Sequence, residues 1–301
     1  MLLSRYTVGI IPAPLQRQLT LPGRTSHVTQ AVTGHAGLRS PLMETELVGK
    51  TALVTGASKG IGLAITRALV AEGARVVAGA RGGSPGLDAL VAAGQVVALE
   101  VDLTAPDAAQ RMLDAADGRV HVLVNNVGAA RPRTGGFLSV TDEQWRDTLE
   151  VNLMSAVRMC RAVLPPMVAA GGGVIVNTGS VNARLPDPLV VDYGATKAAL
   201  TNLAKALSKE FGAQGIRVNT VAPGPVGTDL WLGAGGVADA VSRAGGISPQ
   251  SVRQAAVAGS ATGRFSTPQE VADLVVFLAG ERAANLTGTD ITLDGGLVAT
   301  V

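Results

Sequence analysis

From residue 51 onward, short apolar runs alternate with stretches in which apolar residues recur every three to four positions. A short continuous apolar run reads as a strand buried on both faces, and the three-to-four spacing reads as a helix with one covered side. Strands are expected at 51–55, 75–80, 96–101, 120–124, 173–177, 216–221 and 290–293. The clearest helix is 61–72, with Ile61, Ala64, Ile65, Ala68 and Leu69 on one face. Further helices are expected over 87–93, near 106–116, over 142–170 and over 192–213. The third of these is read as one long element, capped by Thr141 or Asp142 and perturbed near its end by Pro165 and Pro166. Residues 274–279 suit a buried helix. Buried strands separated by helices predict one doubly wound α/β domain, with about seven parallel strands flanked by helices. Ligands of such folds lie at the carboxyl ends of the strands.

Composition narrows the function classes. The 301 residues are 47% hydrophobic and 16% charged, which favours a chain that buries a core over a disordered one. Aromatics reach only 3%, so the core is aliphatic. A net charge of +2 gives no footprint for nucleic acid. No apolar run is long enough to span a membrane. His27, His35 and His121 are scattered without metal-ligand spacing. The single cysteine, Cys160, excludes an intramolecular disulfide and fits a reducing compartment, taken here as the cytoplasm. Its apolar helical setting reads as a small buried hydrophobe.

Residues 1–42 differ from the rest: Arg5, Arg17, Arg24 and Arg39 occur with no acid before Glu44, among several prolines. Three readings stay open for this extension: a disordered tail, an organelle transit peptide, or upstream sequence foreign to the native protein. Met43 is read as the start of the folded catalytic domain, 43–301.

Candidate chemistry follows the strands. After the first comes Thr55-Gly56-Ala57-Ser58-Lys59-Gly60-Ile61-Gly62, opening a helix. Glycines allow a tight turn and close approach of a pyrophosphate, which the free N–H groups and positive dipole end of the helix would hold. The spacing Gly-x-x-x-Gly-x-Gly differs from the general dinucleotide fingerprint, and a plain tight turn is the alternative. The second strand ends at Ala80, where an acid would serve NAD, and Arg81 follows. With Lys59 it forms a cationic pair suited to a 2′-phosphate, which favours NADP(H) with NAD(H) as the alternative; both could equally be solvated loop charges. Asp102 is placed to bond an adenine amino group or to cap the next helix. The amides of 125–126 could tie strand ends together, and Gly128 gives a cofactor room. Tyr193 and Lys197, four apart, share a helix face, and Ser180 lies upstream. A cation beside a phenol favours the phenolate and lowers its pKa. The alternative is a surface pair.

These motifs in this order resemble the classical short-chain dehydrogenase/reductase family, from about Met43 to Val301. They are Thr55 to Gly62, Asp102, Asn125 to Gly128, Asn152, Ser180, Tyr193-x-x-x-Lys197 and Pro223-Gly224-x-x-x-Thr228. The resemblance implies a Rossmann-like fold and an oxidoreductase interconverting a ketone and a secondary alcohol. Tyr193 would be the general acid/base and Ser180 would polarise the substrate oxygen. Lys197 would bond the nicotinamide ribose and lower the tyrosine pKa, and Asn152 would hold a relay water. Gly56, Ser58, Lys59, Gly60, Ile61, Gly62, Arg81, Asp102, Asn125, Gly128, Tyr193, Lys197, Pro223, Gly224 and Thr228 would contact the cofactor. It further implies a homo-oligomer, tetramer or dimer. The four-residue spacing sets aside enoyl-reducing relatives, and the glycine spacing sets aside extended epimerase-like ones.

Residues 229–263 are expected to cover the substrate, with ordinary packing of a short helical pair as the alternative. Arg131, Arg133, Arg158 and Arg161 could attract an acidic carrier, as in 3-oxoacyl-carrier reductases, or be solvated or structural. A catalytically silent nucleotide-binding scaffold is the reading from another class; the intact set of Asn152, Ser180, Tyr193 and Lys197 argues against it.

Overall fold

Seven strands form one sheet: β1 (Thr51–Thr55), β2 (Arg75–Ala80), β3 (Val96–Glu100), β4 (Val122–Asn125), β5 (Gly173–Thr178), β6 (Ile216–Pro223) and β7 (Asp290–Leu293). The computed structural model describes residues 45–300, so the reading of 1–42 lies outside the described residues. All pairings are parallel, in the order β3-β2-β1-β4-β5-β6-β7. The order reverses between β1 and β4, and the crevice above that seam is where such sheets take ligands.

Among the described residues, ten α-helices cover the sheet and its rim: α1 (Gly60–Ala71), α2 (Pro85–Ala92), α3 (Ala108–Asp114), α4 (Asp142–Leu149), α5 (Ser155–Ala169), α6 (Val191–Phe211), α7 (Asp229–Leu232), α8 (Val237–Gly245), α9 (Pro249–Ala258) and α10 (Pro268–Ala279). Successive strand residues point to opposite faces, and the core divides accordingly. Ala52 and Val54 pack with Ile65 and Leu69 of α1 and Val271 and Val275 of α10. Leu53 between them packs on the other side with Met112 of α3 and Met159 and Val163 of α5. Two covered faces explain why β1 is buried at every position.

The expected helix over 142–170 is not continuous. A π-helical turn, Glu150–Met154, separates α4 from α5. Helix α4 begins with a capping box in which Thr141 and Gln144 exchange side-chain-to-backbone bonds. Pro165 and Pro166 lie inside α5, which runs on to Ala169. They remove the helical donors of the Arg161 and Ala162 carbonyls, on an exposed to half-buried side of the helix. Helix α10 begins before the expected 274, because Pro268 takes its first turn and Thr267 and Glu270 form a second capping box. Residues 229–258 hold the three short helices α7 to α9.

Candidate active site

The turn after β1 is built by glycine. Gly56 and Gly60 have φ of +68° and +53°, a region other residues avoid. A Cβ on Gly62 would stand 2.1 Å from the Gly56 carbonyl oxygen, so α1 starts against the turn as only glycine allows. Lys59 precedes α1 without a side-chain cap, and no acid occupies the first turn. The leading N–H groups and positive dipole end therefore have no carboxylate within their own first turn, the chemistry a pyrophosphate needs. The cradle fits a dinucleotide.

Neighbouring strand ends hold the turn. Asn126 Nδ2 donates to the carbonyls of Thr55 (3.0 Å) and Gly56 (3.2 Å). The N–H groups of Asn126 and Val127 both donate to Thr55 Oγ1. Asn125 reaches the other way, its Nδ2 donating to Asn177 Oδ1 at 2.9 Å across the β4–β5 pair. The strand-end amides thus join β1, β4 and β5. Ser84 Oγ donates to the Ser58 carbonyl and caps α2, drawing the turn after β2 towards the glycine loop.

The residues expected around the nucleotide separate into two kinds. Ala80 is buried at the end of β2, while Arg81 and Lys59 are exposed. Asp102 folds onto its own turn, its Oδ1 accepting from the Thr104 N–H (3.0 Å) and hydroxyl (2.8 Å). Those bonds, and more weakly the Arg81 charge, hold its carboxyl below the usual range. Pro223 closes β6, and Gly224 packs so tightly on the chain after β7 that a Cβ would stand 2.9 Å from that of Asp294. Thr228 lies over the glycine turn, its methyl 3.3 Å from where a Gly60 Cβ would be.

Beyond the ends of β4 and β5 the structure gathers the other four. Lys197 is buried, and its Nζ donates to the Thr178 carbonyl at 2.7 Å, 5.5 Å from the centre of the Tyr193 ring. Asn152 lies in the π-turn. Its Nδ2 donates to the carbonyls of Ala129 and Thr148 (each 3.0 Å), and its Oδ1 accepts from the Ala129 N–H (3.0 Å). A Cβ on Gly128 would stand 2.9 Å from Asn152 Oδ1 and 3.4 Å from Lys197 Nζ, so these three residues meet at one point. Ser180 follows β5, its hydroxyl exchanging bonds with Asn182.

Electrostatics here differ from the expectation of a phenol acidified by its neighbour. Burial pushes the Tyr193 phenol up, and the nearby Ser180 hydroxyl pulls it partly back. Burial also lowers the Lys197 ammonium from 10.5 to about 8. Desolvation is the leading cause for both, and it is the firmer for Lys197, which is buried where the tyrosine as a whole residue is half-buried.

The arginines expected to attract a carrier are partly committed elsewhere. Arg133 is buried, its Nε and Nη2 donating to Asp192 Oδ2. Half-buried Arg158 pairs with Glu150. Arg131 and Arg161 stay exposed. The amides of 125–126 tie strand ends together as expected, Asn126 reaching partners 70 and 71 residues away in the chain. Asp192 was not singled out in the sequence, and Arg133 takes the structural alternative of its expectation by pairing with it.

The short chain dehydrogenase family matches residues 50–234. D-threitol dehydrogenase of Mycolicibacterium smegmatis is 38% identical over 262 residues, covering 83% of this chain and 93% of its own. The 3-oxoacyl-(acyl-carrier-protein) reductase FabG of Escherichia coli is 37% identical over 255 residues, covering 83% and 97%. Among solved structures, L-sorbose reductase from Gluconobacter frateurii, complexed with NADPH and L-sorbose, superposes with a TM-score of 0.78 at 32% identity, covering 86% of this chain and all of that one.

Proposed function

The chain belongs to the short-chain dehydrogenase family of oxidoreductases, which act on alcohol and carbonyl groups, and from that premise we propose that it interconverts a ketone and a secondary alcohol using NADP(H). The observation that carries the reading is the convergence of Ser180, Tyr193, Lys197 and Asn152 beyond β4 and β5, beside the glycine turn that follows β1.

When bound, the nicotinamide supplies or accepts the hydride. Tyr193 gives a proton to the carbonyl oxygen in reduction and takes it back in oxidation. Ser180 donates to that same oxygen and so favours the charge that develops on it. Lys197, with its pKa near about 8, exchanges a proton close to neutral pH and replenishes Tyr193. The Asn152 amide nitrogen is fully used, but Oδ1 keeps one lone pair for a relay water beside Lys197. Gly56, Ser58, Lys59, Gly60, Ile61 and Gly62 cradle the pyrophosphate, with Thr228 above them. Asn125, tied to Asn177, forms the floor under the cofactor, and Asp102 offers its second oxygen to the adenine.

Absence of a carboxylate at Ala80, with exposed Arg81 and Lys59 beside it, supports NADP(H) over NAD(H). The second reading, reduction of a 3-oxoacyl thioester on an acidic carrier, rests on likeness to the carrier-protein reductases and on exposed Arg131 and Arg161. Arg133 and Arg158 do not support it. An oligomer is supported by the shallow, largely apolar groove on α5 and α6 lined by Arg161, Leu164, Pro165, Val168, Ala169 and Phe211, and light scattering tests it. Among the described residues no helix is long and apolar enough to cross a membrane.

The deciding experiment offers ketoses and 3-oxoacyl thioesters with NADPH, then NADH, and follows nicotinamide absorbance. Tyr193→Phe should lower kcat on every accepted ketone by about 10²-fold or more. Unchanged turnover overturns the acid/base assignment, and equal use of both cofactors overturns the NADP(H) preference.

A further inference from the structure

A buried ion pair stands behind Tyr193. Asp192 directly precedes it, with a side chain only 1% exposed, and Arg133 in the segment after β4 is 8% exposed. Oδ2 of Asp192 accepts from Arg133 Nε and Nη2 and from the Thr148 hydroxyl (2.7 Å). Oδ1 accepts from the Tyr193 N–H at 3.0 Å. Thr148 accepts from Arg133 Nη2 at 3.2 Å, and its carbonyl is one of the two that hold the Asn152 amide. The Arg133 N–H donates to the Leu189 carbonyl, just ahead of α6. Three separate segments meet at one carboxylate: the strand β4 exit, the end of α4 with its π-turn, and the first turn of α6.

We propose that Arg133 and Asp192 are positioning residues whose ion pair locks the first turn of α6, and so Tyr193, at a fixed place relative to Asn152. The inference rests on the acid/base reading of Tyr193. The chemistry favours a locating role over a stabilising one. Removing two charges from water costs about as much as their attraction returns, and an apolar pair of similar volume often serves stability equally well. A geometric role explains what the apolar pair would not supply: one carboxylate binding the backbone N–H of the proton donor and, through Thr148, the residue beside its relay. Misplacement of a reacting group by about 1 Å can cost about 10²-fold in rate.

The test uses the full chain with Tyr6→Phe in every background. Tyr6 is the only other tyrosine, so tyrosinate absorbance then reports Tyr193 alone. The variant Arg133→Met with Asp192→Leu should fold and bind NADPH like the parent. It should turn over the fastest ketone of the panel about tenfold more slowly or worse, with KM little changed. Its Tyr193 should titrate lower than in the parent, towards the ordinary value, as water reaches the loosened turn. An unchanged kcat together with an unchanged tyrosine titration overturns the proposal. Should that variant fail to fold, Arg133→Lys decides, since it keeps the charge and loses the two-pronged grip; native values of both readouts then overturn it. Tyr193→Phe separates the two levels. If it keeps turnover, the acid/base reading fails; if it is inactive while the pair variants are fully active, only the positioning role fails.

Discussion

Replacing Lys197 by methionine should make the protein more stable and leave it inactive. The fall of its pKa from 10.5 to about 8 corresponds to roughly 3 kcal/mol of burial cost carried by the ammonium at neutral pH. Methionine removes that cost and fills most of the space. It also leaves the Thr178 carbonyl without its 2.7 Å donor, a loss of about 1–2 kcal/mol. The net gain at pH 7 is about 1–2 kcal/mol, or a few degrees in melting temperature. The sign depends on pH. Below about 8 the lysine is charged in both folded and unfolded chains and the burial penalty is full. Between about 8 and 10.5 the unfolded chain holds the extra proton, so the native protein gains stability as pH rises. Urea unfolding of native and Lys197→Met protein at pH 7 and near 10 measures the gap directly. It should favour the variant at pH 7, then shrink or reverse. A native protein that is the more stable at pH 7, or a gap constant across that window, would refute the argument. Turnover of the variant should be lost at every pH.

Gly62→Ala places a methyl 2.1 Å from the Gly56 carbonyl oxygen and 2.6 Å from Asn126 Nδ2; it should lower stability by about 1–3 kcal/mol in thermal melts and weaken NADPH binding in a fluorescence titration, and native values in both would show that the turn yields. Arg81→Asp should shift the ratio of kcat/KM for NADPH over NADH towards NADH by about tenfold or more, as one charge-assisted phosphate contact implies; an unmoved ratio would mean that Arg81 is only solvated. Cys160, with its thiol pushed up to about 12 by burial, should resist a thiol-specific chromogenic reagent at pH 8 in the folded protein and react once per chain in urea; rapid reaction of the folded protein would contradict its burial.

Strand positions were legible because both faces of the sheet are covered, which turns each strand into an unbroken apolar run such as Ala52 to Val54. Glycine positions were legible because few other residues tolerate a φ of +68° or a carbonyl at Gly62's back. The π-turn was not legible: helical periodicity across 142–169 looks continuous, and Asn152 reveals itself only through bonds to Ala129 and Thr148. Nor was the Arg133–Asp192 pair, because 59 residues separate its members. Spacing also misjudged the phenol. Four residues along a helix put the ammonium close to Tyr193, but the degree to which Lys197 is dried out depends on Gly128, Asn152 and Thr178, all remote in the chain.

The π-turn has a consequence for how α4 and α5 face their neighbours. Each residue of an α-helix advances the side chains by about 100°. In an unbroken helix Thr148 and Met159, eleven positions apart, would point the same way to within about 20°, whereas here Thr148 bonds to Asp192 of α6 and Met159 packs in the sheet core. The widened turn resets the angle between them, so each half can be tuned to its own neighbour. Dropping one residue from Glu150–Met154 would give a more regular helix and turn α5 by a quarter of a circle or more, taking its apolar face off the sheet. The turn that displays Asn152 is therefore also a rotary coupling, and the chain cannot regularise its helix without unseating half of its core.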